Sequence, residues 1–504
     1  MNLLRLGKGV LCLWVGTLVL TSSCQSIHHP SALDHLHACK SSEGPTDAYC
    51  GKFDVWENRE TKTGRKLSLN IVVLPALKQN FAPDPVFFLA GGPGQGAASL
   101  AEPIEEPFHR LQTSRDLVLI DQRGTGKSNP LACKGDAKSQ DEELSDAQQD
   151  SEALRIYHAC LDSYANKADV KLYTTSIAMD DIDDVRAFLG YPKINLFGVS
   201  YGTRAAIVYA RRHPDHTRAV VLDSVAPPDM RLPLYVPRDS QRSLDLLFTD
   251  CEKDPGCSQR FPHIRQTFND LIARLTAHPE HIHFIHPRTG EPKEIDAKRL
   301  IVSLSIFRTL YDPLASSLLP LLIEQASKGN YTGFLALAGD PDPKAESQLA
   351  RGMQLSVVCS EDATRIEPGA IARGSAGTFM GTDFADALLK PCAFWPRGTV
   401  EPAYFDNTPS DLPALILSGQ LDPITPPIWG QQVAAQWKNS KNVVVPGSGH
   451  GAWSHGCVLK LIDQFLNAGS AANLDTSCVN QVARPPFFLG PSGPNPLAGG
   501  LATK

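Results

Sequence analysis

Cationic excess is missing from this 504-residue chain: Lys and Arg number 48 against 54 Asp and Glu, a formal net charge of −6. A nucleic-acid backbone finds no electrostatic footprint here, so no nucleic-acid partner is expected. Apolar runs of membrane-spanning length are missing as well. The stretch Val10–Leu20 counts 11 residues, about half of what a bilayer's hydrocarbon layer requires. No Cys-x-x-Cys pair occurs, which leaves a thiolate zinc site without support, and no metal is expected. A phosphate-binding loop is lacking too: it needs glycine six residues before Lys127, where Asp121 stands, and no cofactor is expected. What remains, 42% hydrophobic and 20% charged residues, is the composition of a globular protein. Single cores stop growing at about 250 to 300 residues, so two packed units are expected.

The N-terminus carries Arg5 and Lys8, then the apolar run, then Thr21, Ser22 and Ser23. Residues 1–23 read as a secretory signal. The stretch Leu20-Thr21-Ser22-Ser23-Cys24 resembles the lipobox of bacterial lipoproteins, with Thr21 in place of the usual Leu. The alternative is an ordinary cleavage site beside a spare cysteine. A lipid on Cys24 would tether the protein to a membrane without spanning it, and the bacterial periplasm or cell envelope is the expected location, otherwise secretion. Ten cysteines follow, at 39, 50, 133, 160, 251, 257, 359, 392, 457 and 478. An even number in an exported chain points to disulfides. The sequence leaves the pairing open, but loop-closure cost favours neighbours: Cys39 with Cys50, Cys133 with Cys160, Cys251 with Cys257, Cys359 with Cys392 and Cys457 with Cys478.

Strand-like runs alternate with helix-like stretches over residues 66–223, the pattern of an α/β fold with a mostly parallel sheet covered by helices on both faces. The runs are Lys66–Leu74, Pro85–Ala90, Asp116–Asp121, Lys193–Val199 and Ala219–Asp223. A helix is expected over Ser176–Leu189, with Ala178, Ile182, Val185 and Leu189 on one stripe and Asp180, Asp181, Asp183 and Asp184 on a solvated face. From Pro227 to Asp411 the sheet rhythm disappears, and Pro413–Ser418 resumes it. The expected organisation is a signal at 1–23, a first core segment at 24–226, an inserted, mainly helical cap at 227–411, a second core segment at 412–478, and a Pro/Gly-rich tail at 479–504. Inside the cap, His281, His283 and His286 lead into Pro287-Arg288-Thr289-Gly290 as a strand and turn. Without a nearby acidic or thiolate ligand they are not read as a metal site, and neither are His28, His29, His35 and His37.

In such sheets chemistry gathers beyond the carboxyl ends of the strands. There, Gly198-Val199-Ser200-Tyr201-Gly202 lies between an apolar strand and a helix-like run, the context of a nucleophile elbow. Two glycines let strand and helix backbones approach closely while Ser200, the expected nucleophile, is held exposed between them. A serine hydroxyl needs a histidine base and an acid that orients it, in the order Ser, Asp, His for this topology. Asp422 follows the strand at 413–418, and His450 follows Val443-Val444-Val445. Asp411 precedes its strand and His455 follows none, so both compete weakly. Backbone donors for the developing oxyanion are assigned to Gly92, in Gly91-Gly92-Pro93-Gly94-Gln95-Gly96, and to Tyr201.

Together with Asp121-Gln122-Arg123-Gly124-Thr125-Gly126-Lys127-Ser128 and Gly449-His450-Gly451, these motifs resemble the tripeptidyl aminopeptidase and proline iminopeptidase family of serine peptidases. Cys359-Ser360-Glu361-Asp362 and Cys392-Ala393-Phe394-Trp395-Pro396 are similar to its larger, secreted branch, while Ala90 departs from the His that many relatives carry. The resemblance implies an α/β-hydrolase fold with a cap. It also implies an exported serine aminopeptidase releasing N-terminal residues or tripeptides through an acyl-enzyme, without metal. The expected partners are short peptides with a free N-terminus. Their ammonium needs a carboxylate, and Glu361 and Asp362 are the candidates, against the reading of a solvated acidic pair. A carboxylesterase or lipase on the same machinery, and a non-catalytic binding protein, are the competing readings.

Overall fold

The period-two alternation of the apolar runs sends neighbouring side chains to opposite faces of one sheet. A computed structural model describes residues 31–40, 47–133, 146–285, 290–338, 349–406 and 408–494. The signal, Cys24, His28, His29, residues 286–289 and the tail from 495 onward lie outside the described residues. In chain order the strands are β1 (His37–Lys40), β2 (Asp47–Trp56), β3 (Lys66–Leu74), β4 (Val86–Leu89), β5 (Leu117–Ile120), β6 (Ile194–Val199), β7 (Thr217–Asp223), β8 (Glu280–Ile285), β9 (Pro292–Ala297), β10 (Ala414–Gly419) and β11 (Ser440–Val445). Among the described residues nine of them form one sheet in the order β1-β2-β3-β5-β4-β6-β7-β10-β11, and β8 and β9 form a separate hairpin. The pairs β1 with β2, β2 with β3 and β3 with β5 are antiparallel; the remaining pairs of the large sheet are parallel.

Phe87 and Leu89 join one hydrophobic core, with the helices Thr175–Phe188 and Tyr201–Arg212 covering that face. Val86 and Phe88 join the other, under the helices Ala101–Gln112 and Val458–Ala468. The five expected strands in 66–223 are present with ends displaced by a residue or two, as fraying at strand ends allows. β2 escaped the pattern because Asp47, Lys52 and Asp54 interrupt its apolar residues.

The five disulfides join the pairs that loop closure favours. Such a set belongs to a chain folded in an oxidising environment. No helix of the described residues is long and apolar enough to cross a membrane.

Three expectations are corrected. The carboxylates of the helix Thr175–Phe188 are not a solvated face. Asp181 is buried against the fully buried Arg123, at 2.6 and 2.8 Å, and also accepts from Arg59. Asp180 accepts from Arg212 and lies 3.0 Å from a ring nitrogen of His213, and Asp183 accepts from Arg186 and Tyr209. Buried charges persist only when paired in this way. Second, the segment between β7 and β10 does not pack as one unit. Residues between Val236 and Phe334, with Phe379 and Met380, build their own core, whereas Met353, Val357, Cys359, Trp395 and Tyr404 pack into the sheet's core. The tail closes on the former through Phe487, and Arg484 reaches Asp250. Third, acidic partners do stand beside the cap histidines: in the β8-β9 hairpin, His281 pairs across from Asp296 and His283 from Glu294. These groups are exposed, with Nδ1 of His281 3.1 Å from the Asp296 carboxylate and Nδ1 of His283 2.8 Å from that of Glu294.

Candidate active site

The parallel strands deliver the expected residues to one edge of the sheet. Ser200 follows β6 directly and adopts φ 58°, the left-handed region that a side-chain-bearing residue enters only under constraint. Its conformation is held by its own amide, which donates to the Asp223 carbonyl at 3.0 Å, and by the Thr203 hydroxyl, which donates to its carbonyl at 2.6 Å. The two flanking glycines are required by space. A Cβ on Gly198 would run into the Gly202 carbonyl, and one on Gly202 into the carbonyl of Leu89 at the end of β4.

Asp422, fully buried after β10, accepts from the amides of Ile424 and Thr425 at 2.9 and 2.8 Å, and from the Thr425 hydroxyl at 2.8 Å. Its remaining bond runs to Nδ1 of His450 at 2.9 Å. The His450 imidazole is therefore oriented by a carboxylate whose other lone pairs are already committed. Burial drives the imidazole's pKa down, but the charge of Asp422, its hydrogen bond and the more distant Asp223 outweigh that and hold it above the ordinary histidine value. Burial likewise pushes the Asp422 carboxyl up, and His450 with the two amides brings it below its usual range. The histidine loop is braced by Asp223 and Ser224: Ala452 and Trp453 donate amides to the Asp223 carboxylate at 3.0 and 2.8 Å, and Gly451 donates to the Ser224 hydroxyl at 2.8 Å. From the cap side, the Tyr311 carbonyl accepts the His450 amide at 3.0 Å and its ring meets the imidazole edge-on at 4.9 Å. His455 turns instead to the hydroxyls of Ser448 and Ser454, and Asp411 to Lys438 on the surface.

Gly92, Pro93, Ser200 and Tyr201 line a narrow cavity of about 30 Å³ with Arg204, Met230 and Leu232. Both assigned oxyanion donors thus border the same space as the serine. Gly92 and Gly94 have φ of 114° and 111°, which only glycine tolerates. Asp121 braces this turn from below, accepting the amides of Ala98 and Lys127 at 2.9 Å each and the Asn70 side chain at 2.9 Å. The 121–128 motif is therefore a structural support.

Glu361 and Asp362 are not a solvated pair either. Both are fully buried. Glu361 accepts the amide and hydroxyl of Thr175 at 2.7 and 2.9 Å and the hydroxyl of Tyr404. Asp362 takes Arg204 at 3.0 Å. Burial pushes both carboxyls above their usual values against the pull of Arg204. Arg204 stands between this pair and the serine cavity, and the Thr175 hydroxyl links Glu361 to the phenol of Tyr201 at 2.7 Å.

A family model described as alpha/beta hydrolase fold matches residues 84–248, and one described as TAP-like protein matches 377–478. The chain has the α/β-hydrolase fold. Serine protease Hip1 of Mycobacterium tuberculosis is 26% identical over 479 residues, spanning 87% of this chain and 90% of its own. Putative hydrolase YuaR of Escherichia coli is 24% identical, spanning 82% and 83%. Proline iminopeptidase of Arabidopsis thaliana is 32% identical over a shorter stretch, 39% of this chain and 37% of its own. Around this site, Thr425, Tyr311, Arg204 and Asp223 are the residues that sequence reasoning missed. Only Asp223, at the carboxyl end of an expected strand, left a positional signal.

Proposed function

We propose that this protein is an exported serine exopeptidase that releases N-terminal residues or short peptides, tripeptides among them, through an acyl-enzyme on Ser200. The observation that carries the reading is the Asp422–His450 bond at 2.9 Å on the same sheet edge as a strained serine between two glycines. In the mechanism, the Ser200 oxygen attacks the scissile carbonyl as Nε2 of His450 takes its proton. Asp422 fixes Nδ1 as the protonated nitrogen and stabilises the imidazolium that forms. The amides of Gly92 and Tyr201 meet the developing oxyanion, each contributing on the order of 10² to 10³ in rate. His450 then returns the proton to the leaving amine, and water repeats the sequence to free the acyl fragment. Glu361 and Asp362, assigned to the substrate's ammonium, act in this reading from behind Arg204, shaping the field at the cavity wall.

The export signal at 1–23 and the disulfides support a periplasmic or cell-envelope location, with Cys24 as the proposed lipid attachment. The test compares free and N-acetylated tripeptide chromogenic amides with a simple acyl ester. Cleavage that requires the free amine supports the exopeptidase reading. Ester turnover with no peptide cleavage would replace it by a carboxylesterase, and inactivity on all three by a binding protein.

A further inference from the structure

A second cavity, of about 410 Å³, adjoins the serine cavity and has the opposite character. The two share walls at three places. Along one segment Met230 and Leu232 face the serine cavity while Asp229 and Arg231 face the larger one. After the acid loop, Ile424 and Thr425 line the first and Ile428 and Trp429 the second. Arg204 in the first and Arg365 in the second reach the same buried carboxylate, Asp362, at 3.0 and 3.5 Å.

The larger cavity is lined by three guanidiniums, Arg231, Arg238 and Arg365, against one carboxylate, Asp229. Two further carboxylates, Asp239 and Asp362, hold Arg238 and Arg365 from beneath, and both are buried below the cavity surface. The cationic ends are pre-positioned. Arg231 donates to the Tyr235 hydroxyl at 2.6 Å, and Arg231 and Arg238 lie 5.6 and 4.9 Å from the Tyr235 ring. Arg365 is clamped by the carbonyls of Pro228, Asp229 and Met230, which fixes the wall between the cavities. Among the described residues Arg231 makes no ion pair. Burial drives the Arg365 pKa down; Asp362 pulls it back, and Arg204 and Arg231 add to the lowering, the repulsion that an incoming anion would relieve.

We propose that this cavity is an anion subsite that takes a carboxylate of the peptide substrate, from an acidic side chain or the free C-terminus, while the scissile bond lies at Ser200. The inference rests on the peptide reading above and adds a substrate class to it: short acidic peptides. Guanidiniums pre-positioned in this way match a carboxylate by charge-assisted, bidentate hydrogen bonds.

The test is calorimetric titration of Ser200→Ala protein, which binds without turnover, with four peptides: Ala-Ala-Glu and Ala-Ala-Gln, each as free acid and as C-terminal amide. We expect the fully amidated neutral peptide, Ala-Ala-Gln amide, to bind about fivefold or more weakly than the best acidic one. Arg231→Gln and, separately, Arg238→Gln should erase that preference and leave binding of the neutral peptide unchanged. Which of the two carboxylates carries the preference identifies its source. Equal binding of all four, no measurable binding, or a preference that survives both variants overturns the subsite. Turnover of free-amine tripeptide chromogenic amides by the wild-type protein is a separate readout: no cleavage of any of them overturns the peptide reading, while the anion preference is still decided by the titration.

Discussion

Replacing Asp422 by asparagine separates the orientation of His450 from every other property of the site. The side chain keeps its shape, and its carbonyl oxygen can still accept the Ile424 and Thr425 amides, which meet Oδ1 in the native site. The amide nitrogen then occupies the place of Oδ2, facing Nδ1 of His450 and the Thr425 hydroxyl. It is a donor where an acceptor stood, so Nδ1 must become the acceptor and the ring proton moves to Nε2. The nitrogen that should take the serine proton is then already protonated. The expected loss in kcat is about 10³- to 10⁴-fold, about 4 to 5.5 kcal/mol of transition-state stabilisation, with KM little changed. The pH profile adds an independent sign. Only neutral imidazole can act as base, and the native His450 pKa is raised, so the acid limb of wild-type kcat/KM lies above about 6.5. Removing Asp422 deletes its charge and hydrogen bond, the largest upward influences, and the limb should move to lower pH. Steady-state kinetics on a chromogenic peptide amide from pH 5 to 9 reads both quantities. A loss below tenfold, or a limb that moves to higher pH, would refute the reasoning.

Three further outcomes follow from the same geometry. Glu361→Ala leaves the Thr175 amide and hydroxyl and the Tyr404 hydroxyl without their buried acceptor, and should cost about 3 to 5 kcal/mol in denaturant unfolding; a cost under about 1 kcal/mol contradicts this. Gly202→Ala drives a methyl into the Leu89 carbonyl and should lower both activity and melting temperature, whereas Gly490→Ala, which meets nothing within 4 Å, should change neither. Burial pushes the Asp223 carboxyl up to about 6 although Trp453 and Ala452 donate to it, so the folded protein holds this proton above the unfolded value of about 3.9. The native chain should therefore lose stability relative to Asp223→Asn as pH rises from about 4 to about 6, and a pH-independent difference in melting would count against it.

The geometry of the candidate site was legible because its signals are local. A glycine pair two residues either side of Ser and a strand before it are dictated by one close backbone approach, here of Gly202 to Leu89. The parallel strands were legible through Val, Ile, Leu and Phe runs, and the cysteine pairs through loop length. What stayed hidden was the partnering of charge across long sequence distance. Asp181 finds Arg123, and Glu361 finds Thr175 and Tyr404, across sequence separations of 58, 186 and 43 residues. On a sequence, each of these acids is indistinguishable from a solvated one. The division of the 227–411 segment between two cores was hidden for the same reason: helical periodicity gives the apolar face of an element but not its partner.

The central claim is that Ser200 is the residue acylated, and that His450 makes it so. Treating the protein with a fluorophosphonate, which forms a stable adduct with an activated serine, and locating the adduct by peptide mass spectrometry tests this most directly. The account predicts one time-dependent adduct on Ser200, lost in His450→Ala protein that still melts cooperatively. An adduct on another serine, or labelling of Ser200 at the same rate without His450, would contradict it.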